Sequence, residues 1–264
     1  MPQSSWKLPL CQCQPPPCPP ARSARLTGSF SASPAMSASI KTFVFFDLET
    51  TGLPQDLPKV TEICLVAVHR CSVEDPPRDP ATGALQLPRI LDKLCLFMDP
   101  GKAVAPKAAE ITGLNNSNLA RSEKQRFDAR TVALIQEFLQ RQAQPVCLVA
   151  HNGTDFDFPL LKAELDHQGQ DLVGQVYCLD TMKAMMDLDG SLCPPARGAY
   201  SLTALYKRFF KEDPKDSHFA EGDVLAMLLV FLYKAAELLD WAGTKCGTWA
   251  EVKPMYSVRL QQSR

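Results

Sequence analysis

The clearest pattern in the chain is at residues 42–49. Thr42, Phe43, Val44, Phe45 and Phe46 run without a charge into Asp47, Leu48 and Glu49. A short aromatic and β-branched run of this kind predicts a buried strand. The apolar runs at 62–69 and 91–98 predict two more, with Ile63, Leu65 and Ala67 on one face of the first of these. Between them, Pro80-Ala81-Thr82-Gly83 predicts a hairpin-like connection. The period then lengthens. A short helix is expected over 106–111, ending near Gly113. Over 131–142, Val132, Ile135, Phe138 and Leu139 fall on one helical stripe. A strand at 146–150, a helix at 158–168, a strand at 176–179 and a helix at 180–186 follow. After a loop at 187–199, the last helices are expected at 201–210 and 220–239. Three successive strands, then alternating helices and strands, predict one α/β domain from residue 41 to 264, a mixed sheet flanked by helices. No internal repeat is visible.

Residues 1–40 differ. They hold Pro15-Pro16-Pro17 and Pro19-Pro20, several serines and no acidic residue. They lack a long apolar stretch, so a secretory signal is not expected. Their acid-free, serine-containing character is weakly like a mitochondrial transit peptide, but the prolines oppose the amphipathic helix such a peptide needs. A disordered leader is the expectation, with Met36 an alternative start. Cys11, Cys13 and Cys18 have no second cysteine pair or histidine beside them, which argues against a metal site there.

Bulk composition narrows the function classes. The 264 residues are 45% hydrophobic, enough for one substantial core. The net charge of −1 gives no global positive field, so a nucleic acid would have to be held by a local patch or through metal ions. The ten cysteines are irregularly spaced, and Cys64, Cys95, Cys147 and Cys178 lie in hydrophobic segments. That pattern predicts buried free thiols in a reducing compartment, the nucleus or the cytoplasm. No apolar run approaches the ~20 residues needed to span a bilayer, so no membrane association is expected.

The chemistry is carried by acids. Residues two apart on a strand share a face, so Asp47 and Glu49 emerge side by side at the end of a core strand. Two close like charges call for a positive partner, and a divalent cation is the usual one. A third acid lies in His151-Asn152-Gly153-Thr154-Asp155-Phe156-Asp157. Asp157 falls at a helix start, where free backbone N–H groups and the helix dipole favour a carboxylate. Asp155 is the competing candidate, although the phase of Pro159-Leu160-Leu161 favours Asp157. The fourth is Asp223, five residues after His218. A histidine on the loop before that helix can stay neutral near pH 7 and take a proton from water.

These segments carry a resemblance. Phe46-Asp47-Leu48-Glu49-Thr50-Thr51-Gly52-Leu53, His151-Asn152-Gly153 to Asp157, and His218 to Asp223 resemble the three motifs of the proofreading-type (DEDDh) 3′–5′ exonucleases. Glu110-Ile111-Thr112-Gly113-Leu114, Tyr200-Ser201-Leu202 and Pro254-Met255-Tyr256 are similar to the vertebrate three-prime repair exonucleases, in their shorter second form. The resemblance covers about residues 41–258. It implies a ribonuclease-H-like fold and a homodimer, to which the apolar strand at 91–98 is suited. It implies two Mg²⁺ ions, replaceable by Mn²⁺, held by Asp47, Glu49, Asp157 and Asp223, with His218 activating the attacking water. It implies that Glu49, Thr50 and Leu53 meet the terminal nucleotide of a DNA 3′ end, and that Ile111 and Leu114 pack on its base. Phe156 stands where the family usually has tyrosine, so it keeps an apolar surface but cannot donate to a phosphate. The loop at 187–199 is arginine-poor for this family and offers only Arg197 as a DNA grip.

The expected activity is therefore a metal-dependent 3′–5′ exodeoxyribonuclease on single-stranded or frayed DNA, releasing nucleoside 5′-monophosphates. Two readings compete with it. One is an exoribonuclease using the same acids. The other is a catalytically silent nucleic-acid-binding protein, against which the occupied catalytic positions weigh.

Overall fold

A computed structural model describes residues 40–190, 196 and 198–257. Residues 1–39 of the leader and Arg197 lie outside the described residues. The element order is β1 (Thr42–Thr50), β2 (Val60–His69), α1 (Arg70–Glu74), β3 (Asp92–Phe97), α2 (Pro106–Thr112), α3 (Asn116–Arg121), α4 (Ala129–Gln140), β4 (Val146–Ala150), α5 (Asp157–His167), β5 (Val176–Asp180), α6 (Thr181–Asp189), α7 (Leu202–Phe210), α8 (Ala220–Tyr233), α9 (Ala235–Lys245) and β6 (Gly247–Thr248). One mixed sheet runs in the order β3-β2-β1-β4-β5-β6. The first three strands are antiparallel neighbours, β1, β4 and β5 are parallel, and β6 returns antiparallel to β5. Strand β1 thus occupies the middle of the sheet, and the expected α/β architecture is the one observed.

Each face of the sheet has its own core. On one, Val44, Phe46, Ile63, Leu65 and Leu148 meet α4 and α5 through Ile135, Phe138, Leu160 and Leu161. On the other, Phe43, Phe45, Cys64, Val66, Cys147 and Val149 meet α6 to α9. Alternate residues of β1 therefore serve opposite cores. Phe231 of α8 packs on Phe43 and Phe45, with ring centroids 5.7 and 5.2 Å away. Helix α8 is apolar on nearly all sides because it lies between the sheet and its neighbours α7 and α9. Asp128 starts α4 by accepting from Arg130 and Thr131 N–H, both at 3.0 Å.

Several boundaries differ from the sequence reading. The run at 220–239 is two helices, not one. Lys234 leaves helical conformation at φ −117°, ψ 31° and opens α9, its ammonium paired with Glu237 at 2.9 Å. The apolar pattern runs through this break and hides it. Helix α3 was not expected; Asn115 caps it in a reciprocal box with Asn118. The turn near Pro80 does form, closed by Asp79 accepting from Ala81 and Thr82 N–H and by a bridge between Arg78 and Leu85. Strand β3 is an edge with Phe97 exposed, and exposed Leu91 lies just before it. Cys64, Cys71, Cys95, Cys147, Cys178 and Cys246 are all free thiols. Among the described residues no helix is long and apolar enough to cross a membrane.

Candidate active site

The odd positions of β1 change character along the strand. Phe43 and Phe45 are buried against Phe231, and Asp47 and Glu49 follow on the same face. Helix α8 shows the matching change. Phe231, Met227 and Asp223 recur every four residues, so its core stripe ends in an acid where the stripe of β1 does. Asp47, Glu49 and Asp223 each bring a carboxylate oxygen within 4.8 Å of the others.

Asp157 completes the set from the third direction. Strand β4 pairs with β1 only as far as Phe45, so the backbone of β1 is open beyond that point. The chain leaves β4 through His151–Phe156 and starts α5 at Asp157, which is 4% exposed. The N–H groups of Leu48 and of Asp157 itself reach that carboxyl and partly offset its burial. Asp157 is the strongest neighbouring charge on Asp47. Asp155, the competing candidate, is exposed and faces away, its carboxylate paired with Lys183 at 3.2 Å.

Burial and mutual repulsion raise all four carboxyls of this cluster. Burial, then Asp157, Asp223, Glu49 and Glu62, raises the Asp47 carboxyl well above its ordinary range. Burial first, with Asp223, Glu62 and Asp157, raises Glu49 to about 8. Burial raises Asp157 to about 7, with Asp180 adding to it. Asp223 is also raised by burial, against the opposing pull of the His218 N–H and charge. Among the described residues no lysine or arginine forms an ion pair with any of these four acids. Buried oxygen donors at this spacing fit a hard divalent cation, and divalent-metal use is the chemistry this donor set supports.

His218 stands at the rim on an exposed turn, at φ +66°. Its N–H donates to Asp223 Oδ2 at 3.0 Å, so its backbone is fixed to a cluster acid. Gly222 makes the turn possible, because a Cβ there would stand 2.1 Å from the Asp216 carbonyl oxygen.

The expected nucleotide contacts scatter differently. The Thr50 hydroxyl donates to the Gly52 carbonyl at 2.8 Å. Leu53 is 60% exposed in the turn after β1. Ala105 N–H donates to Thr51 C=O at 2.8 Å and brings the start of α2 beside that turn. Ile111 is exposed and Leu114 half-buried at the far end of α2. Phe156 stands at the N-cap position of α5 without a side-chain cap and packs partly on the α4–α5 core, so much of its ring is committed to structure.

Three residues were missed in the sequence. Glu62 faces Glu49 directly across the β1–β2 pair and is 5% exposed. Asp180, 3% exposed, caps α6 and also accepts from Asn152 and Thr154 N–H, bracing the loop that delivers Asp157. His151 was read only as part of a motif. Its Nε2 donates to the Tyr200 carbonyl at 2.8 Å, and its Nδ1, which burial keeps neutral, accepts from the Thr181 hydroxyl at 2.8 Å. It ties three segments together behind the site. A charged residue inside a strand buried on both faces was the available signal for Glu62.

Comparisons with known proteins give the family. The Exonuclease family model matches residues 44–231. The chain is 52% identical over 220 residues to human three prime repair exonuclease 2, covering 82% of this chain and 93% of that protein. It is 44% identical over 225 residues to human three-prime repair exonuclease 1, covering 83% and 72%. Among solved structures, the nuclease domain of 3′hExo, a DEDDh family member bound to rAMP, superimposes with a TM-score of 0.54 at 11% identity, covering 79% of this chain and 96% of that one. Escherichia coli exonuclease I in its complex with single-stranded DNA gives 0.55 at 18% identity, covering 75% of this chain and 42% of that larger one; these two likenesses concern the fold. The chain belongs to the vertebrate three prime repair exonuclease family and is a 3′–5′ exonuclease.

Proposed function

We propose that the protein is a metal-dependent 3′–5′ exodeoxyribonuclease that removes nucleoside 5′-monophosphates from single-stranded or frayed DNA 3′ ends. The observation that carries this reading is the convergence of Asp47, Glu49 and Asp223 within 4.8 Å, with Asp157 against them and His218 fastened to Asp223. The four acids would hold two Mg²⁺ ions, with Mn²⁺ able to replace them. When bound, such a pair stabilises charge on the attacking and leaving oxygens of an in-line displacement.

The residues of the chain do the rest. His218, exposed and on a turn outside the core, takes a proton from the attacking water. Leu53, Ile111 and Leu114 offer apolar surface to the terminal nucleotide, and Glu49 and Thr50 sit beneath it. The Thr50 hydroxyl gives its proton to the Gly52 carbonyl and so meets the nucleotide as an acceptor. Phe156 offers only the part of its ring not packed on the core. Arg197, which precedes α7 in the sequence, would supply a phosphate contact, and the salt dependence of binding would show it. A homodimer through the exposed edge β3 and residence in the nucleus or cytoplasm belong to the same reading.

The preference for DNA draws on the relatives, which are named as repair exonucleases. An exoribonuclease is the second reading, favoured by one observation: the 3′hExo neighbour holds rAMP. Matched DNA and RNA oligonucleotides digested with Mg²⁺ or with EDTA separate the two. We expect 5′-mononucleotides from DNA with Mg²⁺ and none with EDTA. Faster release from RNA would give the second reading, and no metal-dependent release would remove both.

A further inference from the structure

The turn that carries His218 is closed on itself. His218 N–H donates to Asp223, Phe219 N–H to Asp216 C=O at 3.1 Å, and Asp223 N–H to Phe219 C=O at 3.0 Å. None of these bonds says where the turn stands relative to β1, which bears Asp47 and Glu49. Phe219 occupies the N-cap of α8 but offers no side-chain cap. The capping acceptor comes from the sheet instead. Glu62 Oε2, on β2, accepts from Ala220 N–H at 3.5 Å, across 158 positions of sequence. A carboxylate is suited to that place, where unpaired N–H groups and the positive end of the helix dipole meet. Among the described residues β3 also ties to Glu221, through Lys93 at 2.6 Å and the Cys95 thiol at 4.0 Å, but the ion pair is about two-fifths exposed on both sides and the thiol contact is long, so both contribute little. Glu62 is buried, and strand pairing fixes its own position opposite Glu49.

We propose that Glu62 is a positioning residue for the reaction. By capping α8 from β2, it sets the start of that helix and so the place of His218, two residues before Ala220, over the acidic cluster. It neither carries the proton nor is needed as a metal ligand. This role rests on His218 acting as the base.

The test is a double-mutant cycle in the full chain. Single-turnover cleavage of a DNA oligonucleotide with Mn²⁺ is measured for Glu62→Leu and Glu62→Gln, each alone and with His218→Ala, alongside KM and thermal melting. Glu62→Leu should lower the rate ~10- to 10²-fold with KM nearly unchanged, as expected for a misplaced reacting group. Glu62→Gln, which keeps an acceptor oxygen, should recover most of that loss. In the His218→Ala background, Glu62→Leu should have little further effect. Equal losses in both backgrounds would overturn the proposal, as would a Gln variant as slow as the Leu variant. Where Glu62→Leu does not fold, Glu62→Asp gives the same cycle, since its shorter side chain falls short of Ala220. If His218→Ala alone keeps near-full rate, the base role itself falls, and this proposal falls with it.

Discussion

Strand β1 and the turn at 214–219 serve the same centre by opposite means. Strand β1 lies in the middle of the sheet, hydrogen-bonded to β2 along its length and to β4 as far as Phe45, with Phe43 and Phe45 packed behind its acids. The turn lies on the surface, with Asp216 and His218 both in left-handed backbone conformation and His218 exposed. Groups that hold a cation must keep their spacing while repelling each other, and a close-packed core enforces that. A group that takes a proton needs access to water and a short reach. The cluster acids are therefore built from core outward, while the histidine is hung from the cluster by its own backbone.

The largest expected effects test this division directly. Asp157→Asn should reduce the rate by at least ~10³-fold and weaken divalent-ion binding, because it removes a buried donor. Asp155→Asn, an exposed partner of Lys183, should stay within about twofold. A reversal, measured by oligonucleotide digestion, would overturn the assignment of the third acid. His218→Ala should lose ~10²- to 10⁴-fold while ion binding, followed by Mn²⁺ titration, is kept. If ion binding falls with the rate, the turn is part of the metal-holding frame and the contrast fails.

A smaller effect is expected at Gly222. An alanine there would meet the Asp216 carbonyl oxygen at 2.1 Å, so the turn must shift. Overpacking of this kind costs about 1–3 kcal/mol, and the rate should fall more than the melting temperature suggests. A variant that melts lower but cleaves normally would show that the turn tolerates displacement.

The smallest effect is a pH slope. Glu49 has its folded value raised from 4.5 to about 8, so the stability associated with its neutral form is complete below 4.5 and is lost as pH rises through 8. In EDTA the melting temperature should fall by about 5 °C between pH 5 and pH 8. Saturating Mg²⁺ favours the charged form and should flatten the slope. An unchanged slope with Mg²⁺ would place Glu49 away from the cation.

Much of this centre was legible because it follows local rules. Asp47 and Glu49 share a face by strand periodicity, and Asp157 could be preferred over Asp155 from the phase of the leucines after it. Glu62 was not legible, because its partner Ala220 lies 158 positions away and only the folded sheet brings them together. Lys234 broke a helix inside an apolar run that gives no warning. The role of Asp180 was hidden for a related reason. One carboxylate caps its own helix and also holds a loop that left the neighbouring strand.

The stripe from Asp223 through Met227 to Phe231 has a consequence for how this protein can change over generations. Phe231 sits eight residues, or ~12 Å, along α8 from the acid it helps to aim. A drift in its packing against Phe43 and Phe45 would rotate or slide the helix and carry Asp223 with it. The cleavage rate is therefore expected to depend on packing deep in the interior, two turns of helix from the acid. A substitution at Phe231 that repacks and keeps overall stability should still slow cleavage by displacing Asp223, so the melting temperature alone would pass it as harmless.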